Sequence, residues 1–251
     1  MNIGCVYTVD TYFKVDKPFS SATEIPFGIS IIMTVLEQRG HNVELFVITP
    51  ETDLDNTVSN YILTHKPKLF CYTAVTTQYW QVKRVANHVN KLNNEIFNVL
   101  GGHHASLDSD QVIEDGVFDA ICVGEGESAI IDLAENIANI STDNHINRID
   151  NLWYFDRENS NVIKSKSASF RQDLDELPYI NRNIWDKWID NPSDYPAILL
   201  GRGCPFKCTY CANHAMAKIA DGKYTRFRSP ENIVGEIENI LNNYDNVERI
   251  Y

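Results

Sequence analysis

Cys204, Cys208 and Cys211 fall within eight residues of the stretch GRGCPFKCTYCANH (201–214), with three and then two residues between them. Three thiols in one turn-rich segment, beside Gly203 and Pro205, point to a metal centre, and the open question is which group completes it. Zinc is one reading: Cys204, Cys208, Cys211 and His214 make a Cys3His set, and a structural zinc takes four protein ligands. Zinc ligands usually come as pairs from two separate knuckles, however, and four ligands packed into eleven residues match that poorly. A four-iron cubane fits better, because three thiolates from one tight loop can take three corners of a small cube. No fourth cysteine lies nearby, so one iron would stay open to bind a substrate or cofactor. The remaining cysteines, Cys5, Cys71 and Cys122, sit inside the apolar runs NIGCVYT, LFCYTAV and DAICVG and read as small core residues of buried strands.

The elements that must position this loop are legible in the hydrophobic pattern. Short apolar strands at Ile3 to Thr8, Val43 to Ile48, Leu69 to Val75, Phe97 to Leu100 and Ala120 to Val123 alternate with helical patterns. The helices run from Gly28 to Gln38, Asp55 to His65, Tyr79 to Leu92, Ser109 to Asp115 and Glu127 to Asn139, with Gly40 as a stop after the first. Five such units predict an α/β fold, a Rossmann-like doubly wound parallel sheet over residues 1–140. Ligands in that architecture bind where strands end and helices begin. The informative loops are therefore Thr76 to Gln78, GGHHAS at Gly101 to Ser106, and GEGES at Gly124 to Ser128. Neither a GxGxxG nor a Walker A sequence is present, so no dinucleotide or nucleoside triphosphate is signalled. Residues 141–195 break the alternation: NLWYFDRENSNVIKS predicts a hairpin turning at Glu158 to Asn161, and LDELPYINRNIW reads as an irregular linker. A new strand is expected from Ala197 into the cysteine loop. A helix from Pro230 to Asn243 follows, with Ser229 as its N-cap, and VERIY opens one more strand.

Composition bounds the function classes. The 251 residues are 43% hydrophobic and 22% charged, with no run long enough to span a membrane and no basic leader before the first strand, which predicts a cytoplasmic protein. The net charge of −12 argues against a nonspecific nucleic-acid surface. The distribution is uneven: Gly201 to Arg228 carries six basic residues against Asp221, a net +5, and the remainder is −17. That segment is expected to face something anionic, such as a thiolate-ligated cluster or a substrate carboxylate.

Cys204-x3-Cys208-x2-Cys211, with Tyr210 before the last cysteine, resembles the signature of radical S-adenosylmethionine enzymes. RGCPFKCTYC followed by RFRSPENIVGEI, together with GGHHAS, GEGES and LDELP, resembles the subset with an N-terminal cobalamin-binding domain. The resemblance covers nearly the whole chain. It implies a 4Fe-4S cluster on Cys204, Cys208 and Cys211, with S-adenosyl-L-methionine on the fourth iron and Tyr210 giving backbone contact to its adenine. It implies cobalamin beside Thr76, Thr77, Gly101, Gly102, His104, Gly124 and Glu125, with His103 incidental. The implied activity is reductive cleavage of S-adenosylmethionine followed by methyl transfer to an unreactive position. The implied partners are an electron donor such as flavodoxin or ferredoxin and a small-molecule or peptide substrate.

The chain departs from that family in two places. The loop VDTYFKVD after the first strand has Tyr12 where many cobalamin domains carry the cobalt-ligating His, so cobalamin would bind without a protein imidazole below cobalt. Residues 196–251 would form only the start of a radical (β/α) partial barrel, because the chain stops where a second barrel strand begins. His41, His65, His88 and His145 are scattered over helix ends and loops with no shared site. Two other functions compete. One is a radical methylthiotransferase, whose second cluster would use Cys5, Cys71 and Cys122. The other is a module that binds a corrinoid or cluster without turnover.

Overall fold

The computed structural model describes residues 1–10, 17–137, 149–156, 159 and 161–251. Tyr12, His145, the hairpin segment's start at Ser141 and its turn residues Glu158 and Ser160 lie outside the described residues.

Seven strands form the main sheet in the order β3-β1-β4-β5-β6-β7-β8. The first five are β3 (Asn42–Ile48), β1 (Asn2–Thr8), β4 (Leu69–Thr73), β5 (Phe97–Gly101) and β6 (Ala120–Cys122), and all pair in parallel. Counted among themselves, these five run in the order 2-1-3-4-5, the flavodoxin-like version of the doubly wound fold. The hairpin β7 (Leu152–Asp156) and β8 (Asn161–Lys164) extends that sheet antiparallel beyond β6. The hairpin was foreseen; its pairing with the first domain's sheet was not, because register between distant segments leaves no local mark in sequence.

Both faces of the sheet are covered, which accounts for nearly unbroken apolar strands. On one face Ile3, Cys5, Leu69, Cys71 and Val99 pack under α1 (Phe27–Gln38) and α6 (Glu127–Asn136). On the other, Val6, Phe70, Tyr72, Leu100 and Ile121 pack under α2 (Asn60–His65) and α3 (Tyr79–Leu92). Adjacent residues of one strand fall into opposite cores because side chains alternate across the pleat. The helix expected from Asp55 begins with a wider π-helical turn, Asp55–Ser59, before α2. Asp53 braces that turn by accepting from the amides of Asp55 and Asn56.

Two short helices, α4 (His103–Leu107) and α5 (Ser109–Glu114), follow β5. The segment read as an irregular linker is ordered structure. Its 3-10 helix, Arg182–Trp188, leads into β9 (Ile189–Asn191), which pairs in parallel with β2 (Phe19–Ser21). Trp185 is fully buried against α1, where its indole N–H donates to Ser30 Oγ at 2.9 Å.

The strand expected at Ala197 is shorter than the sequence suggests. Regular pairing begins at β10 (Gly201–Arg202), antiparallel to β11 (Arg226–Phe227). Upstream, Ile198 donates to the Tyr251 carbonyl at 2.7 Å and the Tyr251 amide donates to Pro196 at 2.9 Å. That alternation across Ala197 is the hydrogen-bond pattern of a parallel pair. Between β10 and β11 runs the cysteine loop, which contains α7 (Asn213–Met216). The last helix, α8 (Pro230–Asn243), starts as expected: Ser229 accepts from the Asn232 amide at 3.1 Å and Pro230 takes the first turn. No helix among the described residues is long and apolar enough to cross a membrane.

Candidate functional site

A cavity of about 420 Å3 lies at the C-terminal edge of the parallel sheet, between that edge and the stem of the cysteine loop. Thr73, Gly101, Gly102 and Gly124 line it from the strand ends. Cys71 and Cys122 form part of its floor, and Ile29, Ile31 and Ile32 of α1 form an apolar wall. Arg202, Gly203, Asn213, Tyr224 and Arg226 close it from the other side. The two parts of the chain that the sequence marks as chemically informative therefore share one enclosed space.

Of the residues expected near cobalamin, Gly101, Gly102, Gly124 and Glu125 line this cavity, whereas Thr76, Thr77 and His104 do not. His104 is buried under Tyr79, their ring centroids 4.3 Å apart, with Nδ1 3.3 Å from Thr76 Oγ1. His103, set aside as incidental, lines the cavity. Neighbouring residues at the start of a helix point about 100° apart, and here His103 faces the cavity while His104 turns under Tyr79.

The glycines separate by what holds them. Gly102 has φ of +91° and a Cβ there would lie 2.6 Å from Thr73 Oγ1, so the fold itself requires glycine. A Cβ at Gly101 would meet nothing closer than Cys122 Cβ at 3.8 Å, so the protein has room for a methyl on the cavity side.

Glu125 is tied into the fold rather than left free for a ligand. Arg202 Nη1 donates to Oε1 at 3.0 Å, Arg226 Nη1 reaches both oxygens at 2.9 and 3.0 Å, and the Arg171 amide donates at 2.8 Å. Burial pushes the Glu125 carboxyl up, but the Arg171 amide, Arg202 and Arg226 outweigh it and hold the group below its ordinary value. Arg202 also donates from Nη2 to Glu127. Burial works against the Arg202 guanidinium, and Glu127 and Glu125 more than restore it. A third carboxylate, the buried Glu236 of α8, accepts from Arg182 at 2.9 Å and from Arg228. Three of the six basic residues in the positive segment are thus paired with carboxylates of the protein itself. The sequence showed the excess charge but not the two acids of GEGES and the one of α8 that answer it.

The three loop cysteines are free thiols: Cys204 and Cys211 are half-buried and Cys208 is exposed. Among the described residues no three His, Cys, Asp or Glu side chains converge on a point that one ion could occupy. Convergence is what a single zinc needs. A cubane instead takes each thiol on a different iron, so it does not need the three sulfurs to meet at one point. The Cys211 amide donates to the Cys208 carbonyl at 3.1 Å, which turns the chain between these two thiols. Asn213 Nδ2 lies 3.4 Å from Cys211 Sγ, and the Tyr224 hydroxyl holds Asn213 Oδ1 at 2.8 Å. Neither residue was singled out from sequence; the hydrogen bond to sulfur arises from tertiary folding of the loop. Tyr210 is 92% exposed, so its ring rests on nothing in the chain.

Cys5, Cys71 and Cys122 are buried on one face of the sheet, with Cys5 opposite Cys71 and Val99 between β4 and β6. Burial pushes the Cys71 thiol well up and that of Cys122 to about 12, so both are protonated at neutral pH and poor ligands.

Comparison with known proteins agrees with this geometry. The B12 binding domain family matches residues 21–134, and the Radical SAM superfamily matches residues 198–251. The chain is 26% identical over 225 residues to the anaerobic magnesium-protoporphyrin IX monomethyl ester cyclase of Rubrivivax gelatinosus, covering 88% of this chain and 40% of that protein. Its fold is similar to the cobalamin-dependent S-adenosylmethionine radical enzyme OxsB, solved with aqua-cobalamin and S-adenosylmethionine bound. There the TM-score is 0.72 at 16% identity, over 100% of this chain and 33% of that one. It is also similar to the radical S-adenosylmethionine methyltransferase TsrM from Kitasatospora setae, solved with cobalamin and a [4Fe-4S] cluster, with a TM-score of 0.67 at 18% identity over 95% and 45% of the two chains. The chain spans between a third and a half of the length of these proteins. The parallel sheet thus carries the B12 binding domain match and the three-cysteine loop the Radical SAM match, the pairing of domains that the sequence resemblance implies.

Proposed function

We propose that the protein containing these residues is a cobalamin-dependent radical S-adenosylmethionine methyltransferase. The observation that carries this reading is the shared cavity: the strand-end glycines of the B12 domain and the stem of the three-cysteine loop enclose one space. When bound, the cofactors supply the hard chemistry: one-electron reduction of the sulfonium to methionine and a 5'-deoxyadenosyl radical, and a methyl group carried on cobalt.

The chain's own contribution is holding and shielding. Cys204, Cys208 and Cys211 would ligate three irons and leave the fourth to the amino and carboxylate groups of S-adenosylmethionine. Tyr210, exposed beside Cys211, would offer its backbone to the adenine. Gly101 and Gly124 present backbone without side chains to a corrinoid, and the α1 wall fits an uncharged aromatic base. A whole corrinoid is larger than the enclosed space, so this pouch holds a part of it. Thr76, Thr77 and His104 stand outside the cavity and would meet only a ligand portion extending past its rim. The electron donor would be a flavodoxin or ferredoxin, and a cytoplasmic setting suits thiols that must stay reduced.

The methylthiotransferase alternative loses ground, because Cys5 lies away from the cavity in the core and burial raises the thiols of Cys71 and Cys122, the two at the cavity floor. Anaerobic reconstitution with iron and sulfide, followed by iron analysis and absorption spectra with and without added cobalamin, tests the reading. The expected result is four irons per chain, lost on changing any of Cys204, Cys208 or Cys211 to Ala, and a retained corrinoid band. Cluster retention by all three variants, or failure to hold any corrinoid, would overturn it.

A further inference from the structure

The cysteine loop hangs from a stem of only two residue pairs, and the register of that stem sets Arg202 directly opposite Arg226. Like charges facing each other across a ribbon repel, and a two-stranded ribbon this short is marginal alone. What holds it together is the β6–α6 loop of the first sheet: Glu125 sits between the two guanidinium groups, and Glu127 takes the second arm of Arg202. The four charges cancel, and the side chains are 3% to 22% exposed, so separating them leaves uncompensated charge out of water. The same loop is braced by the Gly124 amide donating to Ser106 Oγ and by Asn151 donating to the Glu125 carbonyl. Ile219 of the cysteine loop lies over Gly124.

We propose, resting on the function proposed above, that Arg202 is a positioning residue that couples the corrinoid-binding loops to the cluster loop. Its two-armed grip on Glu125 and Glu127 converts the placement of the Gly124–Glu127 loop into the placement of Cys204, two residues further along. A ligand that holds the Gly124–Glu127 loop favours the closed stem, and an ordered cluster loop favours the same loop position in return, as any equilibrium coupling must.

The test is a set of binding measurements that need no turnover. Hydroxocobalamin is titrated anaerobically into apo-protein and into cluster-loaded protein, for wild type, Arg202→Lys and Glu127→Gln. Lysine keeps the charge but cannot grip two carboxylates at once, and Gln keeps the shape of Glu127 without its charge. In wild type the cluster should tighten cobalamin binding about fivefold or more. In both variants the iron content should stay at four per chain while that ratio falls toward one. With dithionite in excess, so that cobalt is already reduced to cob(II)alamin and draws no electron from the cluster, the cluster's paramagnetic resonance spectrum should shift on adding cobalamin in wild type and not in the variants. Glu127→Gln leaves Arg202 paired with Glu125, so it carries the test if circular dichroism shows Arg202→Lys to be unfolded. A wild-type ratio of one overturns the coupling while leaving the proposed function standing. Variants that keep the wild-type ratio overturn the role of Arg202. A wild type that takes up no iron or no cobalamin overturns the function itself, and the coupling with it.

Discussion

Asn213 places an amide N–H 3.4 Å from the Cys211 sulfur, in an orientation fixed by the Tyr224 hydroxyl. A donor to a ligand sulfur stabilises the more negative, reduced form of a cluster and so raises its potential. Asn213→Leu is therefore expected to lower the cluster potential, on the order of tens of millivolts, without reducing iron content. Redox titration of the reconstituted protein checks this, and an unchanged potential would remove the bond from the account. The strand-end glycines give a paired prediction. Gly102→Ala should cost about 1–3 kcal/mol, because the residue holds φ of +91° and its Cβ would strike Thr73. Gly101→Ala should leave urea unfolding unchanged and weaken cobalamin binding, since its new methyl enters only the cavity. At this scale the sequence showed what is local. Three thiols at ligand spacing announce themselves, and so do glycine pairs after strands. Which His of His103 and His104 turns inward depends on the pitch of α4, and the carboxylates that answer Arg202 and Arg226 lie 75 to 101 residues away in the chain.

Elements were the most legible level, because the periods of strand and helix are written directly in the apolar residues. All five parallel strands and the helices α1, α3 and α8 fall within a residue or two of expectation. The misses are the short pieces, β2, β9, β11, α4 and α7, whose existence rests on contacts with other elements and not on pattern. The stem also carries a pH prediction. Glu125 has a folded-state pKa held below its ordinary value, so its contribution to stability is complete above that ordinary value, about 4.3, and is lost as pH falls through the lower folded one. Apo-protein should accordingly lose melting temperature between pH 6 and pH 3 more steeply in wild type than in Glu125→Gln. That variant already lacks the charge between Arg202 and Arg226 at neutral pH and should start lower. Parallel curves for the two proteins would assign the acid sensitivity to other carboxylates.

For the whole molecule, the informative segment is the one that looked least structured. Residues 141–195 read as a hairpin and linker, which implies a protease-sensitive joint between an independent first domain and a weaker second part. The structure instead buries Phe170, Leu174, Ile180, Trp185 and Ile189 of this stretch. Trp185 fills the core under α1, and Arg182, three residues earlier, reaches Glu236 of α8 and the Ala197 carbonyl. Irregular backbone hides burial from a periodicity argument, since neither a period of 2 nor one of 3.6 marks which side chains turn inward. A segment that is core to one part and ion-paired to the other transmits loss of packing to both. Trp185→Ala should therefore cost about 3–5 kcal/mol, leaving the Ser30 hydroxyl only its bond to the Pro26 carbonyl. The wild-type chain should unfold in urea as a single transition, with circular dichroism and tryptophan fluorescence coincident. Two separated transitions, with the first releasing the cysteine loop and leaving the sheet intact, would show that Arg182 and Trp185 bridge the parts without binding them into one cooperative unit.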